Sequence, residues 1–251
     1  MNKKTLAIVV TSPLVVKLHL KSIITALKKK YSVIVVTNMS EGAESIQGLP
    51  GGVKYLNIKM ERKIDLIADI RTGFLLFGYL RKENVSIVYT VSPKAGLLGI
   101  LVSRIVGIPI RIHTFTGQVW QTKTGLLRRM LRTLDKFIYI LSTKVIVDSH
   151  SQKLFLMKHK VINEKHSVVI GSGSLGGVDI DLFTPNPSSR ESMRKKLCIN
   201  DNDIVFLFVG RLDIEKGIIE LIEAYSKVTK RCRNTSLWLC LLYTSPSPRD
   251  S

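Results

Sequence analysis

A basic loop follows an apolar run late in the chain, in the stretch FVGRLDIEKGIIELIEAY. The run ends at Gly210, Arg211 follows directly, and Lys216 and Gly217 stand where helical periodicity begins. An arginine fork matches phosphate oxygens, a lysine adds a point charge, and a helix N-terminus supplies unpaired N–H groups. These residue types at this spacing predict a diphosphate site, with an ordinary basic turn and a surface ion pair as the open alternative.

Such a loop needs a strand in front of it and a helix behind it, and the sequence alternates in this way along its length. Short, nearly continuous β-branched runs such as TLAIVVT, YSVIVVT, VSIVYT and KVIVDS are separated by helical patterns. Runs of this kind are typical of parallel strands that helices cover on both faces. The pattern predicts an open, doubly wound α/β domain over residues 1–180, in which TLAIVVT is a buried first strand rather than the core of a signal peptide.

The alternation stops after residue 180 and then begins again. A Gly-, Ser- and Pro-rich stretch is predicted to be a crossover linker over residues 181–200, and residues 201–239 supply one further β-α-β unit. A single unit cannot bury its own sheet edges and apolar faces. We therefore expect the chain to be a fragment, without activity by itself, that holds a complete first domain and the start of a second.

Residues 240–251 read CLLYTSPSPRDS and interrupt the last predicted strand. The eleven residues from Cys240 to Asp250 are similar to the translated read-through of a transposase-type sequencing adapter. A native Ser/Pro-rich linker is the alternative, although linkers seldom interrupt a central strand. We expect this tail to be non-native and leave it out of the reasoning about the fold.

Composition and charge narrow the function classes. With 45% apolar residues in 251, the chain is long enough for a sizeable core, and three scattered cysteines fit neither a disulfide framework nor a zinc site. The sequence therefore predicts a reducing, cytoplasmic setting.

The formal net charge is +19, which predicts an anionic partner such as a polyphosphate ligand, an anionic membrane surface or nucleic acid. A nucleic-acid-binding α/β protein stays open as the alternative, although aromatic residues are only 7% and no motif of that class is present.

Two common site motifs of α/β proteins are missing from the sequence. The turn after the first strand lacks the Gly-x-Gly-x-x-Gly pattern of dinucleotide-binding folds, and no Walker A sequence occurs. No Asp/Glu/His cluster indicates a metal site, because Asp179 and Asp181 precede a predicted turn and fit capping roles there. We expect neither a metal nor a cofactor.

Three stretches in order carry a resemblance to a known family. The loop around Gly210 resembles the Gly-Arg…Lys-Gly donor loop of retaining glycosyltransferases with the GT-B fold, specifically family 4. VSPKAGLLGILVSRIVGIPIRIHTFTGQVW is similar to the acceptor-domain signature of the family's bacterial polysaccharide and lipid-linked sugar branch, and GSGSLGGVDIDLFTP to its crossover. The resemblance covers residues 1–239. It implies two Rossmann-like domains and transfer of a sugar from a nucleotide-sugar to a lipid-linked or polysaccharide acceptor.

The resemblance also implies roles for individual residues. Gly210, Arg211 and Lys216 would bind the donor diphosphate. His113 would lie near the donor sugar as a catalytic residue, with a strand-end histidine satisfied by the backbone as the alternative. On the acceptor side, Lys94 would face a phosphate, although by itself it reads as a surface lysine, and Ser12 replaces the family's usual glycine-rich first loop. The family's paired glutamates, spaced E-x7-E, would lie well beyond residue 240.

The basic and apolar helices of the first domain add an expectation about location. They are predicted to hold the protein as a peripheral protein at the inner face of the plasma membrane, since each Lys or Arg near an anionic surface contributes about 1 kcal/mol.

Overall fold

The protein is described by a computed structural model, which covers residues 3–40, 48–60, 65–210, 212 and 214–241. Its chain divides into two compact units, Met1–Val178 and Asp179–Ser251. The predicted tail lies outside the described residues except at its start, because Cys240 and Leu241 continue the last strand.

The first unit is built on one parallel sheet of seven strands with the order β3-β2-β1-β4-β5-β6-β7. The strands are β1 Thr5–Val9, β2 Ser32–Thr37, β3 Lys54–Asn57, β4 Val85–Val91, β5 Ile110–Phe115, β6 Lys144–Val147 and β7 Ser167–Val168. The helices described around them are α1 Pro13–Val15, α2 Lys21–Leu27, α3 Leu66–Lys82, α4 Pro93–Val106, α5 Gly125–Leu141 and α6 His150–Lys158. This arrangement confirms the predicted doubly wound α/β fold and the buried first strand.

Strand β1 shows why the apolar runs are nearly continuous. Leu6 and Ile8 pack with the helices on one face of the sheet, whereas Ala7 and Val9 pack with those on the other face. Each strand residue therefore meets a helix layer, and a polar residue would find no water on either side.

The strand order reverses between β1 and β4, which are adjacent in the sheet. Ligands of open α/β sheets bind outside the carboxyl ends of the strands at such a switch point. The carboxyl edge of β1, β4, β5 and β6 is therefore where the fold favours a site.

The first predicted helix is interrupted. A π-helical turn, Val16–Leu20, separates α1 from α2 and places Val16 and Leu20 in the core. Helix α1 begins after Ser12, whose Oγ accepts from the backbone N–H of Leu14 at 3.3 Å.

The second unit contains α7 Pro187–Lys196, β8 Ile204–Gly210, α8 Ile218–Thr229 and β9 Thr235–Leu241. Strands β8 and β9 pair in parallel over their whole length, as a β-α-β unit requires. Helix α7 lies inside the segment predicted as a linker. It forms because Asn186 caps it, accepting from the Ser189 N–H at 3.0 Å, and Pro187 suits the first helical position.

Candidate functional site

Hydroxyl groups meet at the switch point, where β1 and β4 end. The hydroxyl oxygens of Thr11 and Ser92 lie 3.3 Å apart; Ser92 follows β4 directly, and Thr11 stands two residues after the end of β1. Ser92 has φ 79° and ψ 149°, a backbone conformation that residues other than glycine rarely adopt. Strained backbone persists where its surroundings determine it, and such positions concentrate at functional sites.

His113 lies in the interior beside this edge, with only 1% of its surface exposed. Its Nδ1 lies 2.8 Å from the Thr90 hydroxyl, and its ring meets Phe115 edge-on at 4.6 Å between centroids. Burial lowers the pKa of His113 from 6.5 to about 3, so the ring is neutral at physiological pH. The structure therefore gives His113 packing and hydrogen-bonding contacts with side chains, and its predicted catalytic contact with a sugar stays a prediction.

Helix α4 approaches the His113 ring closely because residue 96 is a glycine. A Cβ at Gly96 would lie 2.4 Å from Cε1 and 2.8 Å from Nδ1 of His113, closer than carbon atoms can pack. Gly99, one turn later, lies equally close to Thr90, with 2.6 Å from a built Cβ to Cγ2. Because Gly96 and Gly99 have no side chains, the N-terminal half of α4 packs directly against Thr90 and His113.

A small cleft opens at this place, lined by Ser92, Pro93, residues 113–117 and Asp135. Asp135 reaches it from α5, and its Oδ2 accepts from Trp120 Nε1 at 2.7 Å. Burial raises the pKa of Asp135 from 3.8 to about 6, which the hydrogen bond from Trp120 partly opposes. Asp135 is therefore a titratable group next to the cleft, and no pattern in the sequence indicates it.

Trp120 fixes the segment that follows β5. Its ring is buried, stacks on Phe155 of α6 at 5.2 Å and lies under the Arg128 guanidinium of α5 at 5.8 Å. The segment that begins at Thr116 is thus held between two helices, so the residues that end β5 keep one position.

Lys94, predicted on the acceptor side, lies in the first turn of α4 at this edge. Its Nζ is 2.7 Å from Asp69 Oδ1 of α3, and both side chains are largely buried. Ser12, the other acceptor-side residue, is buried at the start of α1. Ser12 follows β1, Lys94 follows β4 and His113 lies two residues before the end of β5, so all three lie near the carboxyl edge of the sheet.

The predicted donor loop belongs to the second unit. Gly210 ends β8, Lys216 is exposed at the end of the short 3-10 turn Ile214–Lys216, and Gly217, with φ 72°, precedes α8. Arg211 lies outside the described residues. The strand, turn and helix around Lys216 match the arrangement that the sequence predicts for a diphosphate site.

Asp179 has the capping role that the sequence predicts. Its Oδ1 accepts from the backbone N–H groups of Asp181 and Leu182, each at 3.1 Å. Among the residues that the structure describes, no group of three or more His, Cys, Asp or Glu side chains could hold a metal ion. In the same part of the chain, no helix is both long enough and apolar enough to span a bilayer.

Comparison with known proteins gives the class and the family. The chain is 31% identical over 180 residues to the capsular polysaccharide biosynthesis glycosyltransferase CapM of Staphylococcus aureus, covering 72% of this chain and 47% of that protein. It is 30% identical over 164 residues to an Escherichia coli UDP-Gal:alpha-D-GlcNAc-diphosphoundecaprenol alpha-1,3-galactosyltransferase, covering 65% and 41% respectively. The chain thus spans less than half the length of these two relatives.

Among solved structures, the Anabaena Alr3699/HepE structure in complex with UDP and glucose superposes with a TM-score of 0.68, over 95% of this chain and 61% of that one. At 16% identity this likeness shows the fold alone. It agrees with an α/β protein of the GT-B glycosyltransferase class. The model of Glycosyltransferase Family 4 matches residues 16–173, and that of glycosyl transferases group 1 matches residues 189–242. The chain belongs to Glycosyltransferase Family 4.

Proposed function

We propose that the whole protein transfers a sugar from a nucleotide-sugar donor to a lipid-linked or polysaccharide acceptor, with retention of the anomeric configuration. The observation that carries the proposal is the succession of two family matches along one chain, residues 16–173 and then 189–242. Two relatives that are about a third identical are named for capsular polysaccharide synthesis and for galactose transfer to a diphosphoundecaprenol-linked sugar. The transferred sugar is accordingly proposed to be a hexose.

In this proposal the donor diphosphate binds at the loop after β8. Lys216, with Arg211 before it, neutralises the negative charge that builds up on the leaving nucleoside diphosphate. Gly210 leaves the end of the strand without a side chain, so that the phosphates can approach the backbone. The reaction as proposed uses neither a metal nor another cofactor.

The acceptor is proposed to bind at the carboxyl edge of the first unit. Lys94 supplies positive charge there for the phosphate of a lipid carrier, and its contact with Asp69 holds the side chain in the first turn of α4. Ser12 and Ser92 offer hydroxyl groups at the neighbouring strand ends. His113, neutral and buried, is proposed to support this edge and to contribute to sugar binding.

We also propose that the protein docks on the cytoplasmic leaflet of the plasma membrane. The docking surface is an apolar rim formed by exposed residues in the first halves of α3 and α5. These are Leu66, Ile67, Ile70 and Phe74 on α3, and Leu126, Leu127 and Met130 on α5. Patches of this kind on a protein surface mark interaction sites, and basic residues beside them favour anionic lipid.

Contacts within the first unit support a position of both halves of the rim near the proposed acceptor edge. Asp69 in the first turn of α3 bonds Lys94 in the first turn of α4, and Arg128 in the first turn of α5 lies over Trp120, which follows β5. Arg71, Arg129 and Arg132 supply positive charge on the same two helices. A lipid carrier embedded in the bilayer would therefore present its sugar next to the site.

Vesicle co-sedimentation tests the docking surface. The protein should bind vesicles containing phosphatidylglycerol and should be released by salt, and a Leu126→Glu, Ile67→Glu variant should lose most of this binding. Leu18→Glu is the control, because Leu18 is also exposed, at 58% against 82% for Leu126 and 84% for Ile67, but lies on the helical layer of the opposite sheet face. Equal binding to phosphatidylcholine vesicles, or equal loss in the control, would count against docking through the rim.

A labelled-sugar assay tests the activity itself. The whole protein is incubated with bacterial membranes and, in turn, labelled UDP-galactose, UDP-glucose and UDP-N-acetylglucosamine. We expect one donor to label the organic-extractable lipid or the polysaccharide. Label that stays in the nucleotide sugar or appears only as free sugar, with every donor, would contradict the proposal.

A further inference from the structure

Basic side chains from two helices meet around the indole ring of Trp120. The Arg128 guanidinium of α5 lies over this ring at 5.8 Å, and the His159 ring at the end of α6 meets it edge-on at 5.1 Å between centroids. Phe155 stacks on the same indole and contacts the His159 ring at 4.5 Å between centroids. Aromatic contacts thus hold an arginine of α5 and a histidine of α6 next to one buried residue.

Two more cations lie beside this pair. Arg132 stands one helical turn after Arg128, a spacing that puts the two Cβ atoms about 5–6 Å apart. Lys158 directly precedes His159 at the end of α6. Partial burial lowers the pKa of His159, and the three neighbouring positive charges lower it further, so all three lie close enough to repel a proton on the ring. Arg128, Arg132, Lys158 and His159 therefore form one basic cluster.

The basic cluster has no acidic partner in the part of the chain that the structure describes. The ion pairs there involve other lysines and arginines, namely Lys54, Lys94, Lys153 and Arg194. Asp135 also contacts Trp120, but it is buried and accepts from the indole N–H. Like charges one turn apart destabilise a helix, and each further cation adds repulsion. An anion bound among the four groups would offset this repulsion.

The basic cluster is accessible to a ligand. Arg132 and Lys158 are exposed, and Arg128 and His159 are partly exposed. Contact with the indole restrains the Arg128 guanidinium without neutralising its charge. A ligand can therefore approach all four groups from solvent. Two of them are already restrained by aromatic contacts, which lowers the entropy cost of binding.

The residue types indicate the chemical class of that ligand. A guanidinium binds two phosphate oxygens at once, an ammonium adds a point charge, and an imidazole N–H donates one more hydrogen bond. A phosphomonoester carries about −1.5 to −2 charge at neutral pH and three terminal oxygens, so it matches these donors better than a singly charged carboxylate or phosphodiester. Nucleic acid fits less well, because Trp120 is buried and offers no free face on which a base could stack.

We propose that Arg128, Arg132, Lys158 and His159 bind a phosphomonoester group. None of these residues belongs to the proposed donor or acceptor sites, so the inference does not depend on the transfer reaction. The group can come from a phosphorylated lipid, since α5 also carries half of the proposed docking rim, or from a soluble phosphate ester. The two sources share this chemistry and are separated by experiment.

Binding of glycerol monophosphate and of dihexanoyl phosphatidate to the whole protein tests the site. The two probes share the phosphomonoester headgroup and differ in the acyl chains. The variant Arg132→Gln, Lys158→Gln removes two exposed charges of the basic cluster and leaves the contacts of Trp120 intact. Arg81→Gln, Lys82→Gln is the matched control, because it removes one arginine and one lysine that are also exposed, at the end of α3. Circular dichroism confirms that each variant is folded.

Calorimetry measures the affinity, and NMR of labelled histidine locates the bound probe, with His159→Gln assigning the His159 signal. We expect at least one probe to bind and to raise the pKa of His159, because a nearby anion favours the protonated ring. The cluster variant should bind that probe about tenfold more weakly than wild type, the loss expected for a charge-assisted hydrogen bond, and the control should bind like wild type. Tighter binding of phosphatidate assigns the site to a lipid, and equal binding assigns it to a soluble ester.

The inference is overturned if neither probe changes the titration of His159 up to its solubility limit. It is also overturned if the cluster variant binds like wild type, or if the control loses as much affinity as the cluster variant. Tighter binding at the basic cluster by dihexanoyl phosphatidylglycerol, a phosphodiester, or by a single-stranded oligonucleotide would likewise overturn it. The probes need neither a bilayer nor a sugar donor, so failure of the proposed docking or transfer does not produce any of these results.

Discussion

Replacement of Gly96 by alanine should destabilise the first unit, although alanine is the better helix former. The new Cβ would lie 2.4 Å from a ring carbon of His113, and that ring is buried and cannot move into solvent. Overpacking of this kind costs about 1–3 kcal/mol, and displacement of the ring from Thr90 costs about 1 kcal/mol more. Against this, alanine favours the helical conformation by about 1 kcal/mol relative to glycine. The net loss in free energy of unfolding is therefore about 1–3 kcal/mol.

Gly78 provides the matched control, because it also lies inside a helix but a Cβ there meets nothing within 4 Å. Gly78→Ala should stabilise the unit by up to about 1 kcal/mol. Urea unfolding followed by circular dichroism measures both changes, and a thermal scan should show the Gly96 variant melting several degrees lower, at about 2–4 °C for each kcal/mol.

The double variant Gly96→Ala, His113→Ala tests the cause of the effect. Removing the ring removes the clash, so the two substitutions should cost less together than the sum of the single costs. If Gly96→Ala stabilises the protein as much as Gly78→Ala does, helix α4 does not approach His113 as described, and the description of this edge fails.

Two further predictions concern the charges near the cleft. The folded pKa of Asp135, about 6, lies above its ordinary 3.8, so its contribution to stability is present below pH 3.8 and is lost as the pH rises through 6. Asp135→Asn keeps an oxygen that can accept from Trp120, and it should stabilise the unit at pH 7 by up to about 3 kcal/mol. In urea unfolding, the midpoint of this variant should also depend less on pH between about 4 and 6. An unchanged midpoint at pH 7 would contradict this prediction. Asp69→Asn breaks a largely buried pair with Lys94 and should cost about 1–2 kcal/mol in the same assay, more than Glu83→Gln, whose partner is half exposed. Equal costs would show that burial does not strengthen the Lys94 pair.

The sequence predicts the fold well because both faces of the sheet are covered. Strands such as β1 and β4 then consist of β-branched residues with few polar interruptions, and the helices between them keep a clear period. The π-helical turn at Val16–Leu20 was not predicted, since its apolar spacing resembles that of an ordinary helix. The sequence predicts a linker where α7 lies, because the Gly, Ser and Pro residues around this helix outweigh its short, strongly polar pattern.

The candidate site was predictable only in part. Residues near the carboxyl ends of parallel strands, such as Lys94 after β4 and His113 in β5, could be assigned to one edge from topology alone. Contacts between distant parts of the chain could not be predicted in this way. The hydrogen bond between Asp135 and Trp120 is an example, because neither residue type is unusual in its own segment.

The most direct test of glycosyl transfer is the release of UDP from the nucleotide sugar that labels lipid, measured with and without acceptor membranes. The whole protein, with its natural sequence, should release UDP faster when acceptor is present. Lys216→Ala should lower this rate about 10- to 100-fold, as expected for loss of a charge-assisted hydrogen bond to the leaving diphosphate. Lys227→Ala, an exposed lysine on α8, should leave the rate unchanged. Release that ignores the acceptor, or a Lys216→Ala variant as fast as wild type, would contradict the proposed transfer at this loop.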